Sequence, residues 1–169
     1  MPMEVVETER LILRPLSGAD FEDYAAMLGD PEVGRYLFAE GAMSREDSWR
    51  NLALMLGHER LRGFTNWAVV EKSTGRFAGR AGPWQPLDWP GLEIGWALAR
   101  EHWGKGYATE AARAALRYCF DVLGAEEVFS YVREGNDRSA RVAERIGHEL
   151  RGGTVLRGVR CHVYAQSRR

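Results

Sequence analysis

His102-Trp103-Gly104-Lys105-Gly106-Tyr107-Ala108-Thr109-Glu110-Ala111 is a glycine-spaced loop that runs straight into a helix. Small residues at Gly104, Gly106 and Ala108 let a ligand approach the backbone closely. The helix behind them aims its unpaired N–H groups, and the positive end of its dipole, back at the loop. Such a site suits an anion, most often a phosphate. A tight strand-to-helix turn without a ligand is the rival reading, because short glycine motifs recur by chance.

Two familiar nucleotide motifs do not fit. A dinucleotide fingerprint needs a third glycine, early in a βαβ unit, with an acid about 20 residues on. Here Thr109 holds the third position, past mid-chain and after an antiparallel run. A P-loop needs Gly-Lys-Ser/Thr, whereas this chain has Gly104-Lys105-Gly106.

Outward from the loop the pattern is α/β. Arg10 to Leu16 reads as a strand stopped at Pro15. Ser17 and Asp20 form a capping-box pattern before a helix carrying Phe21, Tyr24, Ala25 and Leu28 on one face. Ser44 and Asp47 repeat it before Trp49, Leu52, Ala53 and Leu56. Phe64 to Val70 and Arg76 to Ala81 flank the turn Ser73-Thr74-Gly75, which predicts a hairpin, and Gly91 to Ala99 supplies the next strand. The helix after the loop is marked by Ala108, Ala111, Ala112, Ala115, Leu116, Cys119 and Leu123, and Gly124 ends it. Val128 to Arg133 then reads as a strand, Asn136 to Ile146 as a helix, and Gly158 to Ala165 as a last strand. The expectation is a mixed, mainly antiparallel sheet flanked by helices.

At 169 residues the chain fits one domain, residues 1–169. A net charge of −1 gives no global field toward nucleic acid or an anionic membrane. No segment approaches the roughly 18 apolar residues that a membrane span needs, and the acidic start has no signal-peptide run. A cytoplasmic protein is expected. Cys119 and Cys161 make no disulfide framework, and His58, His102, His148 and His162 have no metal-ligand spacing, so no metal site is expected.

The run Leu92-Glu93-Ile94-Gly95-Trp96-Ala97-Leu98, followed by His102 to Ala111, resembles the GNAT superfamily of N-acetyltransferases. Within it the blocks look like the Rim type, named for ribosomal-protein N-terminal acetyltransferases. Trp103 stands where the superfamily usually has Arg or Gln, and tryptophan there fits the Rim branch. A second block, Asn136 to Gly147, matches downstream, although His148 follows where the branch usually has Phe. Glu9 to Leu16 also fits, so the likeness spans nearly the whole chain. It implies a GNAT-like acyl-CoA N-acyltransferase fold, acetyl-CoA as cosubstrate and an amine as acceptor. Dimers are frequent among similar proteins.

The resemblance implies that backbone N–H groups from Gly104 through Lys105, Gly106, Tyr107 and Ala108 to Thr109 hold the pyrophosphate. It implies that the pantetheine arm pairs with backbone at Ala97, Leu98 and Ala99 like an added strand. Asn136 suits a helix N-cap. Ser139 shares spacing with Val142, Ala143 and Ile146, so its hydroxyl should face inward. In resembling enzymes these two positions contact CoA, which makes Asn136 a cofactor-binding residue and Ser139 both a contact and the proton donor to the leaving sulfur. Arg141 could reach a CoA phosphate, with an exposed helical arginine as the alternative.

Glu93 is the candidate general base. Alternation puts it on one strand face with Gly95 and Ala97, while Ile94, Trp96 and Leu98 face the other way. A salt-bridged or solvent-facing glutamate is the alternative. An α-amine, of pKa about 7.7–8.0, is roughly a tenth neutral at pH 7, whereas a lysine-like amine at about 10.4 needs about 4.6 kcal/mol to lose its proton. A base therefore matters most for alkyl amines. Trp84, Trp89, Trp96, Tyr36 and Phe38 are candidates for the acceptor pocket, by cation–π contact. The acceptor stays open between a small-molecule amine and a protein N-terminus. A domain that binds acyl-CoA without turnover is the competing class, and Glu93, Asn136 and Ser139 speak against it.

Overall fold

A computed structural model describes residues 3–169. Strand β1 (Val6–Glu7) lies beside β2 (Leu11–Arg14), whose Leu11 and Leu13 are fully buried. Pro15 ends β2 as its missing N–H requires. The Ser17–Asp20 capping box closes a 3-10 turn that leads into α1 (Phe21–Gly29). Asp30 caps a single turn, α2 (Pro31–Gly34), and Ser44 caps α3 (Arg45–Arg62), which stops at left-handed Gly63. Then come β3 (Trp67–Glu71), β4 (Phe77–Trp84), β5 (Glu93–Leu98) and α4 (Tyr107–Asp121). The chain closes with β6 (Glu127–Arg133), α5 (Asp137–Arg145), β7 (Glu149–Leu156) and β8 (Val159–Ser167).

The eight strands form one sheet in the order β1-β2-β3-β4-β5-β6-β8-β7. Every neighbouring pair is antiparallel except β5 and β6, which are parallel and joined through α4. A parallel pair needs such a crossover. On one face α4 buries Ala111, Ala115 and Cys119 against Ile94, Leu98 and Trp67. On the other, Tyr24, Met27, Leu28, Leu52 and Met55 of α1 and α3 cover Ala68 and Ala97. Each fully buried large apolar side chain contributes about 1.5–3 kcal/mol, so both faces anchor the sheet.

What positions the site is the weak seam between β5 and β6. They pair at one register position, Glu93 opposite Phe129. Phe129 N–H donates to Leu92 O (2.9 Å) and Ser130 Oγ to Ile94 O (2.8 Å). Beyond that point the strands part, and the C-terminal half of β5 presents an edge to the gap.

Three elements were not expected from the sequence: β1, α2 and β7. The first two are one turn or less of structure. Strand β7 is solvent-exposed along most of its length and contains Gly152 and Gly153, so it carries no apolar alternation. The end of α4 also differs. Val122 and Leu123 N–H both turn to Tyr118 O, closing the helix before Gly124, whose positive φ belongs to the following turn.

Candidate active site

A cleft of about 860 Å³ opens between the end of β5, the glycine loop, the start of α4 and the face of α5. Gly104 and Gly106 sit at φ +74° and +78°, a left-handed conformation that favours glycine. Space does not demand them. A Cβ at Gly104 would touch nothing within 4 Å, and one at Gly106 only Arg10 Nη2 at 3.4 Å. The bent loop leads into a helix that no side chain caps, and the first N–H to find a carbonyl within it is Glu110, on Gly106 O (3.1 Å). The amides of Tyr107, Ala108 and Thr109 are left for an oxyanion. That donor set fits a pyrophosphate.

Side chains behind the loop hold its shape. Arg10 donates from Nη1 to Lys105 O (2.7 Å) and from Nε to Glu110 (2.7 Å), and Glu110 also accepts from Thr8 Oγ1 (2.6 Å). Tyr107 O–H donates to Glu71 (2.6 Å), and Lys105 Nζ lies 3.3 Å from the same carboxylate. Hydrogen bonds from Thr74 and Tyr107, then the Lys105 charge, hold Glu71 down at about 2. Lys105 is thus directed away from the cleft, and its side chain does not line it.

The opposite wall is α5. Asn136 caps it, its Oδ1 accepting from Ser139 N–H (3.3 Å). Ser139 Oγ accepts from Asn136 Nδ2 (3.0 Å) and from the Trp96 indole (3.2 Å). Both lone-pair directions are filled, so the hydroxyl proton is the group left to donate. Arg138 stacks over Trp103 (4.5 Å), and Arg141 and Arg145 also line the cleft. The β5 edge is partly committed. Leu98 O accepts from the Trp103 indole (2.9 Å), Ile94 O from Ser130, and Ala99 N–H donates to Ala78 O (2.9 Å). The open backbone is centred on Trp96.

Glu93 lies on the other face of β5. Trp89 Nε1 donates to its Oε2 (2.8 Å). Trp89 meets Tyr131 edge-to-face (6.3 Å), and Tyr131 stacks on Phe129 (6.0 Å), so aromatic rings enclose the carboxylate. Desolvation raises Glu93 to about 7, against the lowering effects of the Trp89 bond, the Tyr131 N–H and the Arg80 charge. Tyr131 is pushed up to about 12, first by burial and then by the Glu93 charge. A carboxylate poised near neutral pH suits a general base.

The Acetyltransferase (GNAT) domain profile matches residues 10–149. The chain belongs to the GNAT acetyltransferase family. It is 35% identical over 143 residues to the Bacillus subtilis protein YkkB, covering 83% of this chain and 82% of that one. A solved acetyltransferase from Agrobacterium tumefaciens superposes at TM-score 0.86 with 31% identity, covering 99% and 96% of the two chains. The ribosomal-protein-S5-alanine acetyltransferase of Vibrio fischeri shares the fold at TM-score 0.76 and 16% identity, covering 98% and 97%. Acetyl transfer is the chemistry of the family, with acetyl-CoA as cosubstrate.

Of the residues singled out from the sequence, Ala97, Leu98, Gly104, Gly106, Tyr107, Ala108, Thr109, Asn136 and Ser139 all line the cleft. Ala99 and Lys105 do not, for the bonds given above. Glu93 is also off the cleft wall, four residues up β5 from Ala97, or about 13 Å at the usual strand rise. Trp96 and Tyr36 line the cleft, while Trp84 stacks on His58 (4.3 Å) as packing. Phe38 takes part through its carbonyl, which accepts from Arg133 (3.0 Å) together with Arg35 O (2.9 Å). Arg10, Arg80, Tyr131 and Arg138 also stand at these groups, and no motif in the sequence marks them. Arg80 had a signal, a charge inside an otherwise apolar strand, but its face could not be told without the register.

Proposed function

We propose that the chain transfers an acetyl group from acetyl-CoA to a primary amine by direct attack, acting as one domain over residues 1–169. The observation that carries this reading is the disposition of two proton-handling groups on opposite faces of β5. Ser139 is tied to Trp96 on one face, and Glu93 is ringed by Trp89 and Tyr131 on the other. The parted β5–β6 seam connects the faces. When bound, acetyl-CoA supplies an activated acetyl thioester whose leaving group is a thiolate.

The amides of Tyr107, Ala108 and Thr109 hold the pyrophosphate, and the open edge at Trp96 takes the pantetheine amides. Ser139 gives its Oγ proton to the departing sulfur and recovers one from solvent water, which also takes the second proton that the nitrogen loses once it is bonded to the acetyl carbon. The Asn136 and Trp96 donors keep that hydroxyl aimed. Glu93 receives the proton of the incoming ammonium at its carboxylate, through water where the amine sits beyond direct reach. The acid and the base therefore never compete for one proton.

Ser139→Ala tests the assignment. Turnover at saturating acetyl-CoA should fall by about 10²-fold, with CoA affinity changed little. Undiminished turnover would exclude the hydroxyl as donor.

A further inference from the structure

Among the described residues Arg80 is a buried cation without a carboxylate in contact. It is 9% exposed, its Nη1 donates to Asn66 Oδ1 (2.6 Å), and its Nε has no hydrogen-bond partner. The buried carboxylates are treated differently. Asp20 pairs with Arg14 (2.6 Å) and Glu71 with Lys105 (3.3 Å). A desolvated guanidinium whose partners are neutral, the Asn66 amide and the Tyr24 phenol, favours any anion that can reach it.

The register shows what lies beside it. Arg80 sits opposite Ala97, and Trp84 opposite Glu93. Alternation therefore puts Arg80, Ala97, Gly95 and Glu93 on one face of the sheet. Between the two charged residues the floor is bare. A Cβ on Gly95 would meet nothing closer than Glu93 Oε1 at 3.9 Å. Glu93 and Arg80 stand at the two ends of this strip, along roughly 13 Å of strand, near enough for the Arg80 charge to act on the Glu93 carboxylate. Trp89 and Tyr131 stand at the Glu93 end, the right surroundings for an ammonium group.

We propose that the acceptor is a small amine bearing a carboxylate, seated over Gly95 with its amine at Glu93 and its carboxylate at Arg80. The proposal narrows, and rests on, the acetyl-transfer reading given above. A protein N-terminus brings no α-carboxylate within such a span, so the strip favours a free amino acid or a close analogue.

The test is CoA thiol release with free amino acids, their carboxamides and short peptides as acceptors. In the unaltered protein kcat/KM should favour the free carboxylates by about tenfold or more. Arg80→Met should bring that ratio toward one, chiefly through KM, and Arg80→Lys should restore part of it. Gly95→Leu, which fills the floor, should abolish turnover of the amino acids while CoA still raises the melting temperature. Equal rates for acids and carboxamides, a preference for peptides, or a ratio that survives Arg80→Met would each overturn the proposal while leaving acetyl transfer intact. No thiol release with any amine would instead overturn the acetyl-transfer reading, and this one with it.

Discussion

Glu93 shows how surroundings change the chemistry of an ordinary residue. Burial among Trp89, Phe129 and Tyr131 raises it to about 7, so its basic form appears as pH rises through that value. The kcat/KM of the unaltered protein should climb across that range. Glu93→Gln should remove the inflection and slow alkyl amines, whose pKa lies furthest above neutral, by about 10²-fold. Equal slowing of all amines, with the inflection kept, would exclude Glu93 as base. His148 makes the opposite point. Burial lowers it to about 4, and its Nε2 has no partner. Below pH 6.5 the unfolded chain takes up a proton that the folded one refuses, so this residue's contribution to stability is present above 6.5 and lost as pH falls toward 4. His148→Phe should flatten that acid-side loss, by about 2 kcal/mol between pH 8 and pH 5. Denaturant titrations at the two pH values measure it; an unchanged slope would place the acid sensitivity elsewhere.

At the scale of elements, the glycine loop and α4 form one bent loop-to-helix unit with an uncapped N-terminus. Its shape was legible because glycine spacing followed by an alanine-rich helix face is a local pattern. What could not be read is the strap behind it. Arg10 and Glu110 are a hundred positions apart, and no periodicity announces that they meet (2.7 Å). Arg10→Ala should weaken CoA binding about tenfold, or about 1.4 kcal/mol, without lowering kcat at saturation. Calorimetric titration with CoA checks this, and unchanged affinity would show that the loop keeps its shape unaided. Similarly, β7 was invisible because both of its faces meet solvent, whereas β3, buried on both, stood out.

Across the whole molecule, the sheet is laddered everywhere but at one seam, and the cleft opens there. Ladders on either side make β1 to β5 and β6 to β8 into two stiff halves, and the β5–β6 contact at Glu93 and Phe129 holds them together. The order of strands and the family blocks were readable along the chain. The single-register pairing was not, because a parted parallel pair leaves no mark on either strand's composition. The same holds for the placement of Arg80 and Glu93 on one face, which exists only once β4 and β5 are in register. No helix among the described residues is long and apolar enough to cross a membrane.

The most direct test of acetyl transfer at this cleft is amine-dependent release of CoA thiol from acetyl-CoA, compared between the unaltered protein and Gly106→Glu. Bulk, negative charge and a strained left-handed φ would then occupy the proposed phosphate seat. Acetyl transfer in the cleft predicts release in the first and background release in the second, with both proteins folded by circular dichroism. Equal release by the two, or none from a protein that binds CoA, would contradict it.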